Sequence, residues 1–191
     1  MRAAVLVWFG VAGCDLVFPL EPPPIDAPVI SDVAIDAPFI PCPTSYDSVD
    51  GQPSTSYHFV LTQLPWRDAE TACEADDLQH RITHLAVPDD LIELADLQNA
   101  FSAGGIQGQT VWIGVARGRT DPDTASAYFA ITGKAIDSSL WEPGQPSPSG
   151  PVEKAAVTLN QVQRLVNQPF LDLHAFICEC DQQPASRNFG F

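Results

Sequence analysis

The sequence has 191 residues, with 24 acidic and nine basic side chains and a formal net charge of −15. Such an acidic chain is repelled by nucleic-acid phosphates and by anionic lipid surfaces, so both are disfavoured as binding partners. An apolar content of 45% is ordinary for a globular protein. The length that is left after an N-terminal leader and stalk suits one folded domain.

Residues 1–13 are typical of an export signal. Met1-Arg2 provides positive charge, and residues 3–12 form an apolar run that is too short to span a bilayer of about 30 Å as a helix. The run ends in Val11-Ala12-Gly13-Cys14, which resembles the lipobox of bacterial lipoproteins. This resemblance implies a lipid on Cys14 and an extracytoplasmic location, anchored to a bacterial envelope or cell surface. The alternative is an ordinary secretory signal that ends by chance in a cysteine.

Residues 14–41 are predicted to form a stalk. This segment contains Pro22-Pro23-Pro24 and the repeated sequences Ile25-Asp26-Ala27-Pro28 and Ile35-Asp36-Ala37-Pro38. Prolines fix φ and remove amide donors, so an extended polyproline-like conformation is favoured, with a rise of about 3 Å per residue. A proline-rich docking motif is the alternative, but no Pro-x-x-Pro here is flanked by basic residues.

Residues 42–181 are predicted to form the folded domain, and 182–191 a short tail. Pro65 and the helical spacing of Trp66, Ala69 and Cys73 predict a first helix that ends near Asp76. Asp89 or Asp90 is the expected cap of a second helix, which ends at Gly104-Gly105. The apolar stripe of this second helix comprises Leu91, Leu94, Ala95, Leu97 and Phe101.

Strands and long loops follow the helices. Val111–Val115 is strongly apolar, and Ala127–Ile131 is expected to pair near it across the turn-prone residues 119–124. Residues 132–151 are rich in Gly, Pro and Ser and read as loops. Loops on a rigid scaffold are where binding residues usually lie.

Cysteine usage indicates an oxidising compartment. If Cys14 carries lipid, four cysteines are left, an even number that predicts two disulfides. Four cysteines allow three pairings, which the sequence alone leaves open. A zinc site built from His174, Cys178 and Cys180 is the alternative, and it is disfavoured because no fourth ligand is evident.

Several short motifs occur in an order that resembles a C-type lectin-like domain over residues 42–181. They are Cys42-Pro43, Ser56-Tyr57-His58-Phe59, Trp66-Arg67-Asp68-Ala69 with Cys73, Leu85-Ala86-Val87, Val111-Trp112-Ile113-Gly114, Trp141 to Pro146, and Phe176-Ile177-Cys178-Glu179. The resemblance implies an α+β fold with two helices, small antiparallel sheets and a long loop region that recognises sugars or proteins. It also implies that Cys73 pairs with Cys178. Cys42 and Cys180 would then join the first and last strands, which lie side by side in this family.

The resemblance also locates a calcium and sugar site in the long loops. The family's calcium-binding triplets correspond to Gln145-Pro146-Ser147 and Phe170-Leu171-Asp172, with Glu153 between them. Calcium requires six to eight oxygen ligands, and Ser147 and Leu171 replace two of the better ones. We therefore expect no cofactor, with a weak calcium site at Gln145, Glu153 and Asp172 as the alternative. The family's proline at position 146 is often cis.

Trp141 belongs to the same loop region. A tryptophan there is more often a core residue of the fold than a platform on which a sugar stacks. We therefore expect Trp141 to order the ligand-binding loop from below.

The sequence favours a binding function over catalysis. Common catalytic motifs are missing, and the four histidines lie apart in the sequence without an evident nucleophile beside them. The leading hypothesis is therefore a non-enzymatic, membrane-anchored module that recognises a protein or glycan through its loop region, without calcium. The alternatives are a structural cell-envelope lipoprotein without a small-molecule ligand and a weak calcium-dependent lectin.

Overall fold

The computed structural model describes residues 40–49, 55–103, 109–148, 156–159 and 162–190. The predicted leader, Cys14, most of the stalk and Glu153 lie outside these ranges. The helices are α1 (Trp66–Ala75) and α2 (Leu91–Ala103), with short 3₁₀ turns at Ala125–Ala127 and Ser138–Leu140. Within the described ranges, neither helix is long and apolar enough to cross a membrane.

Eight strands occur in the described residues. They are β1 (Asp47–Ser48), β2 (Ser56–Leu64), β3 (Thr83–Leu85), β4 (Val111–Ala116), β5 (Phe129–Ala130), β6 (Ala156–Leu159), β7 (Leu165–Gln168) and β8 (His174–Cys180). They form one sheet with the order β1-β2-β8-β4-β6-β7, in which β3 also pairs with β8 and β5 with β4. All pairs are antiparallel except β4 with β8.

This arrangement corrects the expectation of several small antiparallel sheets. The last strand, β8, has partners on both edges. Phe176 lies opposite Val60 of β2 on one edge and opposite Trp112 of β4 on the other, while Cys178 lies opposite Leu85 of β3. One strand thus joins both parts of the sheet, and β2 and β8 lie side by side as the resemblance implies.

Helix α1 has the predicted position and packing. It starts directly after Pro65, which needs no amide hydrogen at the first turn. The side chains of Trp66, Ala69 and Cys73 are buried at helical spacing. The Trp66 indole Nε1 donates a hydrogen bond of 2.8 Å to the carbonyl oxygen of Ile113, which fixes α1 against β4.

Helix α2 presents a different stripe from the predicted one. The cap is Asp90, whose Oδ1 accepts hydrogen bonds from the amides of Ile92 and Glu93. Leu91 is 37% exposed and Ala95 is only half-buried, so the prediction of core positions was wrong there. The inward-facing residues are Glu93, Leu94, Leu97, Gln98 and Phe101.

The buried position of Glu93 explains this rotation of α2. Its carboxylate accepts hydrogen bonds of 2.6 Å from the Tyr57 hydroxyl and of 2.6 Å from the amide of Asp89. A buried carboxylate is tolerated when it is satisfied in this way. Apolar periodicity alone could not show that a glutamate would point inward.

Two disulfides connect the helical layer and the N-terminal segment to β8. Cys73 is bonded to Cys178 with a Cα–Cα distance of 5.4 Å, and Cys42 to Cys180 with 5.9 Å. These are the two pairings that the resemblance implies. Cys178 and Cys180 are two residues apart on one strand, so both side chains lie on the same face of the sheet.

Three predicted boundaries shift in the structure. The short strand expected at residues 85–87 lies at Thr83–Leu85, because the Ala86 amide donates to Ile177 O and its carbonyl accepts from Gly114 N. The strand expected at 127–131 is shortened to Phe129–Ala130 by the preceding 3₁₀ turn. The described part of the predicted tail, residues 182–190, contacts the domain, since the Ser186 amide donates to Ile131 O.

Candidate functional site

The loop segment 141–148 lies beside strand β7. Trp141 forms an isolated parallel bridge with Leu165, and the Glu142 amide donates a hydrogen bond of 3.1 Å to the carbonyl oxygen of Leu165. The segment then turns, with the Gln145 amide bonded to Glu142 O and a cis peptide bond between Gln145 and Pro146. The long-loop residues singled out from the sequence are therefore placed against the edge of the sheet.

Asn167 of β7 is the residue that fastens this segment. It is 1% exposed, and its Oδ1 accepts a hydrogen bond of 2.9 Å from the Ser147 amide. Its Nδ2 donates to Ser147 O at 2.8 Å and to the Tyr128 hydroxyl at 3.1 Å. The Gln145 Oε1 accepts from the same Ser147 amide at 3.0 Å. The amide side chains of Gln145 and Asn167 thus converge on Ser147.

The predicted position of the second triplet was wrong. Strand β7 ends at Gln168, and Pro169 starts a turn in which the Asp172 amide donates to Pro169 O and both Leu171 and Asp172 are exposed. Asn167 therefore takes the place beside Gln145 and Ser147 that the sequence analysis gives to Asp172. The missed signal is the alternating burial of β7, which puts a polar residue on the inward side.

Trp141 is a core residue. Its side chain is 5% exposed and its ring meets that of Tyr128 in a T-shaped contact with a centroid distance of 4.9 Å. A buried indole cannot stack on a sugar ring. Trp141 therefore supports the loop segment from below and does not present a surface to a ligand.

Arg117 fixes the neighbouring loop. Its side chain is buried, and its Nη1 donates to the carbonyl oxygens of Gly118 and Asp121 at 3.0 and 2.8 Å. Its Nη2 forms an ion pair with the Asp123 carboxylate. The sequence analysis did not single out this arginine, which directly follows an apolar strand. A guanidinium group thus gathers loop oxygens at the edge of the candidate site.

A second cluster lies at the other end of β8. Among the described residues, His84, Glu179 and Asp181 form the only group of three side chains of metal-binding type whose ligand atoms lie close together. The His84 Nε2 lies 3.1 Å from Asp181 Oδ1, its Nδ1 lies 2.9 Å from Leu85 O, and Glu179 Oε2 accepts a hydrogen bond of 2.6 Å from the Val87 amide. Glu179 and Asp181 also line a cavity of about 460 Å³.

The charges of this cluster balance internally. Burial raises the pKa of Glu179 to about 8. Burial lowers the pKa of His84, but the hydrogen bond with Asp181 and the negative charges of Glu179 and Asp181 outweigh this effect and raise it to about 9. Both ring nitrogens of His84 face acceptors, as expected for an imidazolium. Protonated His84 thus supplies the positive charge among these carboxylates.

These groups predict that stability falls as the pH rises. Glu179, Glu70 and His84 all have a raised pKa in the folded state, so the folded protein binds more protons than the unfolded chain. The carboxyl groups contribute stability that is complete below about pH 4.5 and lost up to about pH 8; the His84 contribution is lost up to about pH 9. We expect the free energy of unfolding to fall by roughly 2 kcal/mol between pH 5 and 9.

Urea unfolding at pH 5, 7 and 9 measures this dependence. Glu179→Gln removes one of the groups with a raised pKa and should flatten the profile. Asp68→Asn, at an exposed position of α1, is the matched control and should leave the slope unchanged. A free energy of unfolding that rises with pH would contradict the prediction.

The fold is that of C-type lectin-like domains. The structure is similar to human lithostathine, with a TM-score of 0.60, 21% identity and coverage of 73% of this chain and 99% of that chain. For CEL-I from Cucumaria echinata the values are 0.61, 17%, 72% and 96%. For the mouse scavenger receptor C-type lectin carbohydrate-recognition domain they are 0.57, 20%, 74% and 98%.

The sequence itself has diverged far from these proteins. No family model and no curated protein matches it. At identities near 20%, the similarity establishes the α+β C-type lectin-like fold.

Proposed function

We propose that this protein is a surface-anchored binding module that recognises a carbohydrate, without calcium, through the face formed by segment 141–148 and strand β7, here called the loop face. The observation that carries the proposal is the convergence of Gln145 and Asn167 on Ser147, which holds the loop region in a defined conformation. Support for the ligand class comes from the neighbouring structure described as a carbohydrate-recognition domain.

The loop face offers polar groups that suit sugar hydroxyls. Glu142, Gln145, Ser147 and Gln168 are all half-buried, so their side chains are held by the protein and still reach solvent. Carboxylate, amide and hydroxyl groups supply both donors and acceptors of hydrogen bonds. Side chains that are partly ordered before binding lose less entropy when a ligand arrives.

Calcium independence is proposed from the state of the loop oxygens. The side-chain oxygens of Gln145 and Asn167 both accept from the Ser147 amide, and a calcium ion would have to compete for them. Calcium prefers several carboxylates, whereas the described residues here supply amide oxygens. The guanidinium of Arg117 already provides a cation that ties the adjacent loop together.

Surface attachment is proposed through a lipid on Cys14, which lies outside the described residues. The stalk of residues 14–41 would then carry the domain away from the membrane. Metabolic labelling with a palmitate analogue, compared between the natural chain and Cys14→Ser, tests this part. A label that persists in Cys14→Ser would contradict it.

A glycan array probed with the full chain, with calcium and with a chelator, tests recognition. We expect equal signals in the two conditions. Gln168→Ala should weaken binding about fivefold, the effect of losing one neutral hydrogen bond. Gln63→Ala, an exposed glutamine on β2, is the matched control and should bind normally.

Other results would change the assignment. A signal that is lost in chelator, together with calcium uptake in a calorimetric titration, would favour a calcium-dependent lectin. Silence on every glycan would overturn the carbohydrate ligand and favour a protein partner or a structural envelope role.

A further inference from the structure

A second cavity lies between helix α1 and the C-terminal segment 185–190, away from the loop face. Its volume is about 310 Å³. Its apolar part includes Trp66 and Phe189, whose rings meet in a T-shaped contact with a centroid distance of 5.7 Å. Neither the sequence motifs nor the fold accounts for this cavity.

The cavity gathers positive charge in an acidic chain. The sequence has nine Lys and Arg residues against 24 acidic ones. Three of these nine, Arg67, Arg81 and Arg187, line this one cavity. Glu70 and Glu74 are the acidic residues of the wall. Guanidinium groups carry several donors in a fixed fork that matches oxyanions.

Glu70 adds an unpartnered polar atom to the cavity wall. Its side chain is buried, with a residue exposure of 6%, and its Oε2 accepts a hydrogen bond of 2.8 Å from the Leu85 amide. Its Oε1 has no hydrogen-bond partner among the described residues. Burial raises the pKa of Glu70 to about 7, so a proton on Oε1 is available to donate to a ligand.

The C-terminal wall of the cavity is well fixed. The amides of Ser186 and Arg187 both donate to Ile131 O, at 3.0 and 2.9 Å, and the Ser186 hydroxyl donates to Thr132 O at 2.8 Å. The guanidinium carbon of Arg187 lies 3.8 Å from the centroid of the Phe129 ring. This cation–π contact holds the arginine beside the cavity.

We propose that this cavity binds a small oxyanion, either a phosphate or sulfate group or a carboxylate. The three arginines provide charge-assisted donors, and Glu70 provides a neutral donor from its unpartnered oxygen. A cationic ligand would instead be repelled by three guanidinium groups. Because the cavity is separate from the loop face, this site stands or falls independently of carbohydrate recognition.

Calorimetric titration of the full chain with inorganic sulfate, inorganic phosphate and acetate, at constant ionic strength, tests the proposal. Saturable binding of sulfate and phosphate indicates a tetrahedral oxyanion, and preference for acetate indicates a carboxylate. Arg81→Gln should weaken binding at least about fivefold, because one charge-assisted hydrogen bond is lost. Arg81 is exposed and its φ is already +60°, so glutamine introduces no new backbone strain.

Two further variants keep the test decisive. Arg119→Gln removes an exposed arginine that does not line the cavity, and it should leave the affinity unchanged. Glu70→Gln keeps a hydrogen-bond donor and removes any negative charge, so it should bind at least as tightly as the natural chain. The absence of binding by all three anions would overturn the proposal, as would an equal loss in Arg81→Gln and Arg119→Gln.

Discussion

Replacement of both Cys73 and Cys178 by alanine is expected to lower the free energy of unfolding by about 4–5 kcal/mol. The bond between them closes a loop with a sequence separation of 105 residues. In the chain-entropy model, removal of such a cross-link frees the unfolded chain by about this amount. Folded domains are stable by only about 5–15 kcal/mol, so the variant should be close to unfolding at body temperature.

Urea unfolding without reductant checks this prediction. Cys14→Ser is the control, because it removes a cysteine that is not part of either disulfide, and it should unfold like the natural chain. Peptide mapping of the natural chain should recover Cys73 linked to Cys178. A loss below about 1 kcal/mol, or the recovery of both as free thiols, would show that this bridge does not stabilise the domain.

Gly114→Ala is expected to destabilise the domain by about 3 kcal/mol. A Cβ at this position would overlap the carbonyl oxygen of Leu85 and lie 3.1 Å from the Ile131 Cγ2. The Leu85 oxygen belongs to the backbone, so it cannot rotate away as a side chain could. The Gly114 amide also donates to Ala86 O at 2.8 Å, and its carbonyl accepts from Ile131 N at 2.7 Å, so a shift of β4 would break further bonds.

Thermal and urea unfolding of Gly114→Ala and Gly144→Ala, compared side by side, provide the check. Gly144 has a φ of +87° and nothing within 4 Å of an added Cβ, so its replacement should cost only about 1 kcal/mol through backbone strain. The difference between the two isolates the steric effect at β4. Equal losses would mean that β4 can move aside, contrary to the packing described here.

The parts of the fold that depend on local pattern could be predicted from the sequence. Trp66, Ala69 and Cys73 recur at helical spacing, and the helix lies where they indicate. Strand β4 is apolar throughout because both of its faces are buried. The pairing of Cys73 with Cys178 followed from the family resemblance, since spacing alone allows three connectivities.

The parts that depend on contacts between distant residues could not be predicted. Glu93 points inward because the Tyr57 hydroxyl, 36 residues away in sequence, meets its carboxylate. Asn167 takes its role from the Ser147 backbone, 20 residues away. The parallel pairing of β4 with β8 likewise joins distant segments. Such satisfied polar contacts leave no periodic trace in the sequence.

The convergence of both disulfides on β8 determines the order in which the protein can mature. Cys42 and Cys73 emerge during export long before Cys178 and Cys180, which lie at the end of the chain. Until translocation is nearly complete, the early pair can react only with each other or with foreign thiols. Correct maturation therefore needs thiol–disulfide exchange after synthesis, and a disulfide isomerase in the receiving compartment should raise the yield of native protein.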